Sequence, residues 1–352
     1  MNNTKQRVEW VDICKAIAII FVFLGHWNTV HLKIFAYAFH LKLFFLLSGF
    51  FAAKAAEKYN FKEYTIKRIK QIIIPMILWG WIGIIINHFE SPMILTDMIT
   101  YLKGIQYVYP NYWFFPAIFT ISLFYYGLKR LYKKDSRVLL CTYLLLLFFG
   151  KTPIIDFTIP EWWIFNYIYV KASFVYGFWF ALGAFLFPYL KNWIEKKDTS
   201  EKWNKYFHII GITATLITSA LFVKDISAVS FIEKYILTNN ILATHYNIIS
   251  TSIIMISVIY FSTFLTKIEG LKFIGKNTMA HLGLEYITRT IVPIYIVNAF
   301  HLNFTLDTTV MVILLVIIQF WINNKLIKYI NLCFPILNGE YPKKSEKIEQ
   351  KK

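Results

Sequence analysis

The first apolar segment of the chain carries side chains that are suited to acid–base chemistry. Asp12, Lys15 and His26 are its polar residues, and Lys15 and His26 lie eleven residues apart. Eleven residues are close to three helical turns, so a helix places both on one face, about 16 Å apart along its axis. Asp12 precedes Lys15 by one turn and is predicted to form an ion pair with it. Histidine can accept a proton from a hydroxyl group near neutral pH, so His26 is a candidate general base.

The composition indicates that a membrane positions these residues. Of the 352 residues, 57% are hydrophobic and only 16% are charged, and the mean hydropathy is +0.50. Soluble domains usually carry about 25% charged residues. Apolar runs recur along the whole chain, so the predicted fold class is all-α, a polytopic bundle of about ten transmembrane helices. The predicted spans are 9–30, 34–53, 70–89, 112–131, 138–156, 164–188, 207–223, 244–265, 278–299 and 306–324.

The distribution of Lys and Arg sets the orientation of the bundle. Alternate connections hold 28 of the 37 cations, and the opposite connections hold five. Cytoplasmic connections carry the excess of positive charge, so both termini are predicted to be cytoplasmic. The same pattern accounts for the net charge of +17 without a nucleic-acid partner. The chain is therefore divided into a membrane domain, 1–330, and a charged cytoplasmic tail, 331–352.

Four cations remain inside the predicted spans: Lys15, Lys42, Lys171 and Arg289. A cation at the centre of a span costs about 2.5–3.5 kcal/mol on insertion scales, so such residues normally face a polar cavity. The structural alternative is that their side chains extend to the interface, and that His26 only caps its helix there. Spacing alone does not decide between these interpretations.

Other polar residues recur at helical spacing or in clusters. His281, Glu285 and Arg289 follow one another every four residues in the ninth span and form a predicted polar stripe. His40 lies in the second span and is a candidate lining residue of the same interior. No HExxH, CxxC, P-loop or GxGxxG pattern occurs in the sequence, so it predicts no metal site and no tightly bound cofactor.

Two further groups of residues are weighed against ordinary membrane-protein features. Lys67, Arg68 and Lys70 precede Pro75 and are suited to bind phosphate groups, although positive-inside charge also explains them. Trp113 begins the fourth span and is a candidate to stack on a sugar ring, but interfacial aromatic residues are common in any membrane protein.

Several motifs resemble those of the acyltransferase-3 family of integral membrane proteins, and they occur in the family's order. The opening motif is EWVDICKAIAIIFVFLGH (9–26), with the cation eleven residues before a Gly-His pair. The later motifs are FHLKLFFLLSGFF (39–51), IKRIKQIIIPMILWG (66–80), YWFFPAIF (112–119), FALGAFL (180–186) and FIGKNTM (273–279). Many members have Arg at the position of Lys15. A Lys at this position resembles the fucose 4-O-acetylase-like group.

The resemblance implies transfer of an acetyl group from acetyl-CoA to a sugar hydroxyl. The acceptor would be a surface polysaccharide or its lipid-linked precursor, and the location a bacterial plasma membrane. His26 corresponds to the expected catalytic histidine, and His40 to the histidine of the second motif. Two residues depart from the family pattern. The family commonly has Pro or a small residue at the position of Lys42, and a second His at the position of Glu285. A transporter or flippase of a lipid-linked sugar is the alternative, since intramembrane charges fit it equally well.

Overall fold

The structure is a computed structural model that describes residues 7–27, 30–87, 94–103, 110–132, 136–149, 170–195, 201–225, 240–300 and 309–341. These residues form helices and contain no strand. The α-helices are α1 (Glu9–Gly25), α2 (Val30–Gly49), α3 (Ala52–Lys58), α4 (Phe61–Arg68), α5 (Ile74–Asn87), α6 (Ile94–Lys103), α7 (Phe114–Leu131), α8 (Ser136–Phe149), α9 (Val170–Glu195), α10 (Glu201–Asp225), α11 (Asn240–Phe264), α12 (Glu269–Lys276), α13 (Thr278–Phe300) and α14 (Thr309–Cys333).

Helix α1 lies at the centre of the bundle, where it packs against α2, α11, α12, α13 and α14. Ile13 and Cys14 are fully buried, as are most residues of this helix. Glu9 and Asp12 stand in its first turn, where carboxylates interact favourably with the unpaired N–H groups of the helix end. Because five helices surround α1, Asp12 is buried and Lys15 lines an internal cavity, although both belong to an apolar helix.

Basic residues of several connections meet at one end of the bundle, which we call the basic end. Lys272 of α12 lies 3.4 Å from Glu9 at the start of α1, and Lys129 of α7 lies 3.4 Å from Glu57 of α3. A hydrogen bond to Glu269 raises the pKa of Lys272, and both carboxylates near it favour its charged form. These ion pairs join α12 to α1 and α7 to α3 at this end of the bundle.

A π-helical turn, Ile69–Ile73, interrupts the helix between α4 and α5. The N–H of Ile74 bonds the carbonyl of Ile69, one residue farther back than in an α-helix. Pro75 follows directly, and its missing N–H leaves the carbonyl of Gln71 without an α-helical donor. The turn changes the direction of the side chains that follow Arg68, which matters for the basic residues considered below.

Helices α2 and α9 approach until their backbones touch. A Cβ atom on Gly49 would overlap the carbonyl oxygen of Phe180, and one on Gly183 would overlap the carbonyl oxygen of Leu46. Small residues allow this kind of close approach between membrane helices. Gly49 and Gly183 thus serve the close packing of α2 on α9.

Replacing Gly183 by alanine is expected to destabilise the protein by about 1–3 kcal/mol, because the added methyl group has no space between α2 and α9. Gly127→Ala is the matched control, since a Cβ at Gly127 meets nothing within 4 Å. Thermal unfolding of both variants in the same detergent would measure the difference. Equal melting temperatures for the two variants would contradict the close packing described here.

All ten predicted spans overlap helices of the structure. Six helical segments are long and apolar enough to cross a membrane by length and composition, among the residues described. The all-α fold of a multi-pass membrane protein is thus confirmed, whereas the number ten and the side of the termini stay predictions. Helix α1 ends at Gly25, short of the predicted limit at residue 30.

The described part of the C-terminal region extends past the predicted domain boundary at residue 330. Helix α14 runs to Cys333, and the 3-10 turn Pro335–Asn338 follows it. Trp79 of α5 donates its indole N–H to the carbonyl of Leu337 at 2.8 Å. Residues 342–352 of the predicted tail lie outside the described residues, and the division into two parts stays a prediction.

Candidate active site

A cavity of about 420 Å³ lies at the basic end and is lined by Lys15, Lys67 and Arg68 among others. We call it the basic cavity. Lys67 donates to the hydroxyl of Tyr59 at 3.2 Å, and Arg68 donates to the hydroxyl of Tyr64 at 3.2 Å. Each cation also lies against the ring of its tyrosine partner. The cavity therefore holds three cations in defined positions, as binding of a polyanionic ligand requires.

Asp12 connects Lys15 to the start of α1. Its carboxylate lies 4.0 Å from the Lys15 ammonium group and 2.5 Å from Nε of Arg7. The predicted pairing of Asp12 with Lys15 is confirmed, and Arg7 is a second partner that the sequence analysis did not identify. The backbone of Asp12 is also held, because Gly275 of α12 packs directly on its carbonyl oxygen. Asp12 thus anchors the cation without lining the basic cavity.

A second, smaller cavity of about 50 Å³ surrounds His26. We call it the histidine pocket. Four of its lining residues come from the C-terminal end of α1, from α2 and from the turn before α7. These residues are His26, Tyr37, His40 and Trp113. Lys15 and His26 both face internal cavities, as the three-turn spacing predicts, and neither points to lipid.

Glu285 of α13 lies against the ring of His26. Its Oε1 atom is 3.0 Å from Nδ1 of His26, although the ring N–H is not aligned with it as a hydrogen bond. The same oxygen accepts a hydrogen bond from Nε of Arg289 at 2.8 Å. The carboxylate is only 1% exposed, and the guanidinium group of Arg289 is the cation that compensates its charge. Because Nδ1 faces the carboxylate, Nε2 is the nitrogen of His26 that we assign to proton transfer.

His40 and Tyr37 form the opposite part of the histidine pocket. Nδ1 of His40 donates to the carbonyl oxygen of Ala36, one turn earlier in α2. The rings of His40 and Tyr37 meet edge to face, with centroids 5.1 Å apart. This hydrogen bond places the proton of neutral His40 on Nδ1 and leaves Nε2 as an acceptor. Trp113 packs on Tyr176, with ring centroids 5.6 Å apart, and presents an aromatic surface to the same pocket.

Four of the predicted residues are placed away from both cavities or lack a described side chain. Lys42 bonds the carbonyl of Ala38 at 2.8 Å and the hydroxyl of Thr251 at 3.1 Å, between α2 and α11. His281 is fully buried against Phe320, with centroids 5.0 Å apart. The remaining two are Lys70, which lies in the π-helical turn, 5.5 Å from the ring centroid of Tyr341, and Lys171, whose side chain lies outside the described part.

Some polar residues of the interior were missed by the sequence analysis. Gln319 and Asn323 of α14 are fully buried, and their side-chain amides have no hydrogen-bond partner among the described residues. Their spacing of four residues within an apolar run was a readable signal, equivalent to the stripe of α13. Tyr37 was missed because a tyrosine near the end of a span is common.

Within the described ranges, no group of three or more His, Cys, Asp or Glu side chains could hold a metal ion. The ionisable groups described in this interior are imidazole, carboxylate, ammonium and guanidinium groups. The arrangement can take a proton from a hydroxyl group at His26 and can hold an anionic ligand at Lys15, Lys67 and Arg68.

A comparison with protein families gives one match, to the model described as acyltransferase domain, which covers residues 8–331. The matched region includes every described helix that lines the two cavities. No curated protein and no solved structure matches the chain significantly.

Proposed function

The chain belongs to the acyltransferase-3 family, whose members are O-acyltransferases, and on this premise we propose that it transfers an acetyl group from acetyl-CoA to a sugar hydroxyl. The acceptor we propose is a surface polysaccharide or its lipid-linked precursor, at the plasma membrane of a bacterium. The observation that carries the proposal is the contact between Glu285 and His26. His26 lines the histidine pocket, which lies next to the basic cavity.

The basic cavity is our proposed site for the donor. Coenzyme A carries several phosphate groups, and Arg and Lys side chains recognise phosphate oxygens. Lys67 and Arg68 lie at the basic end, where the predicted topology places the cytoplasm. Lys15 lies deeper, on α1, with its side chain 27% exposed. The pantetheine arm would follow the cavity inward from the phosphates, and would bring the thioester towards His26.

The chemical step that we propose uses His26 as general base. The acceptor hydroxyl gives its proton to Nε2 of His26 while its oxygen attacks the thioester carbonyl carbon. The new C–O bond forms, the C–S bond breaks, and the coenzyme A thiolate leaves and takes up the proton that His26 accepted, which returns the imidazole to its neutral form. Glu285 stabilises the imidazolium that forms during the attack, and Arg289 holds Glu285 in place. Trp113 offers a flat aromatic face for the sugar ring.

Arg68→Ala is expected to raise the KM for acetyl-CoA about two- to tenfold, with little change in kcat. The estimate follows from a net contribution of about 0.5–1.5 kcal/mol per hydrogen bond. Lys70→Ala is the control, since Lys70 lies against Tyr341 and does not line the cavity. Initial rates with radiolabelled acetyl-CoA in isolated membranes would measure both. An equal rise in KM for both variants would favour general surface charge over a binding site.

Mass spectrometry of surface glycans from wild-type and deletion cells tests the proposed function directly. We expect the deletion to remove one acetyl ester per modified sugar and to leave the glycan otherwise intact. Restoring the gene should restore the ester. Loss of the whole polymer, with its lipid-linked precursor accumulating inside the cell, would instead support the flippase alternative.

A further inference from the structure

The basic cavity and the histidine pocket are separated by a thin apolar partition. Phe44 of α2, Phe114 of α7 and Leu282 of α13 each line both cavities. The rings of Phe44 and Phe114 meet edge to face, with centroids 5.7 Å apart. Phe44 and Leu282 are each only 9% exposed, so they are closely packed. We refer to these three side chains as the partition.

Neighbouring residues on the same helices place the boundary at one consistent depth. On α1, Ile19 lines the basic cavity and Val22, one turn later, lines the histidine pocket. On α2, Leu47 lines the basic cavity and Leu41 the histidine pocket, with Phe44 between them. The two cavities therefore follow one another along a single path through the bundle.

We propose that Phe44, Phe114 and Leu282 form a filter that admits short acyl groups to His26 and excludes longer ones. This inference rests on the proposed function, because it concerns the acyl group that passes from the basic cavity to the acceptor. These three residues would then determine the specificity for the acyl group, and the preferred acyl groups would be close to acetyl in size.

The size of the histidine pocket supports this selection. A volume of about 50 Å³ has room for roughly three to five water-sized groups. An acetyl group has three non-hydrogen atoms, so it fits this space and leaves room for the acceptor hydroxyl. A butyryl group has five and would fill the whole pocket, so the hydroxyl could reach the carbonyl only if the chain stayed between the side chains of the partition. Each methylene added to or removed from a group in an apolar pocket typically changes the ratio of kcat/KM by about 10- to 200-fold.

The chemistry of the partition also suits the proposed step. A thioester and its methyl group are uncharged, so they can enter between Phe44, Phe114 and Leu282 without desolvating an ion. The phosphates of coenzyme A remain with the cations of the basic cavity. After attack by the hydroxyl, the acyl ester stays on the side of His26 and the thiol stays on the side of Lys15. No co-reactant other than acyl-CoA and the acceptor is needed.

Leu282→Ala tests the filter in membranes of cells that supply their own glycan acceptor. Membranes with wild-type or variant protein receive radiolabelled acetyl-CoA or butyryl-CoA, and base-labile label in glycans is counted. We expect Leu282→Ala to raise the butyryl-to-acetyl ratio of kcat/KM at least fivefold. Phe44→Leu is a second, smaller change at the same partition and should shift the ratio in the same direction.

Leu284→Ala is the matched control. Leu284 is a buried leucine of the same helix, 5% exposed, and it lines neither the basic cavity nor the histidine pocket. We expect its ratio to equal that of the wild type. An unchanged ratio in both partition variants, with acetyl transfer retained, would overturn the filter and leave the proposed function standing. Absence of acetyl transfer in wild-type membranes would overturn the proposed function itself.

Discussion

His26→Ala is expected to lower kcat for acetyl transfer by about two to four orders of magnitude, the usual contribution of a general base. The variant lacks the group that takes the proton of the acceptor hydroxyl, and no other titratable side chain of the histidine pocket has the carboxylate contact of His26. The KM for acetyl-CoA should stay unchanged, because Lys67 and Arg68 remain in the basic cavity. The membrane assay with radiolabelled acetyl-CoA measures both constants.

A second histidine variant controls for the loss of an imidazole ring elsewhere. His208 of α10 contacts the hydroxyl of Tyr260 at 3.1 Å and lines neither cavity. His208→Ala should therefore retain wild-type kcat at equal expression. If His26→Ala acetylated its acceptor at the wild-type rate, the base assignment would be wrong, and another group would have to accept the proton.

Glu285→Gln is expected to lower kcat about 10- to 150-fold. This range corresponds to about 1.5–3 kcal/mol for a hydrogen bond between charged groups, which the imidazolium of His26 would form with the carboxylate during the attack. The neutral amide keeps the shape of the carboxylate, so packing between α1 and α13 is preserved. It cannot stabilise the imidazolium that His26 becomes during the attack, and it leaves the Arg289 cation without its carboxylate partner. The effect should appear in kcat and not in the KM for acetyl-CoA.

The exposed pair of Lys191 and Glu195 provides the control for Glu285. Their charged atoms lie 3.6 Å apart at helical spacing on α9, and both side chains are more than 40% exposed. Exposed pairs of this kind contribute little, so Glu195→Gln should change neither kcat nor KM. A loss of folded Glu285→Gln protein in detergent, with wild-type kcat for the part that remains, would assign Glu285 to stability and not to catalysis.

The part of the site on α1 could be predicted because it depends on helical geometry alone. The separation of Lys15 from His26 is close to whole turns, and the pairing of Asp12 with Lys15 spans one turn. The partner of His26 could not be predicted. Glu285 is far from it in the sequence, and only the packing of α13 on α1 brings the two side chains together. The pairing of Glu285 with Arg289 could be predicted, because the two residues lie one helical turn apart on the same helix.

The basic residues before Pro75 show a second limit of sequence analysis. Lys67, Arg68 and Lys70 read as one cluster, yet only the first two line the basic cavity. The π-helical turn begins at Ile69 and adds a residue to the turn, so Lys70 leaves the face of Lys67. Proline indicated a disturbance of the helix but not its type or position. Lys42 was similarly unpredictable, since Thr251 on α11 is its tertiary partner.

The central position of α1 fixes the distance between Lys15 in the basic cavity and His26 in the histidine pocket. Lys15 and His26 are held by one continuous helix that five neighbours clamp, so their spacing does not depend on any loop. Adding or removing a single residue between them would swing His26 about 100° around the axis and shift it about 1.5 Å. An insertion between these two residues is therefore expected to impair the site more than an insertion of the same length in a connection outside it.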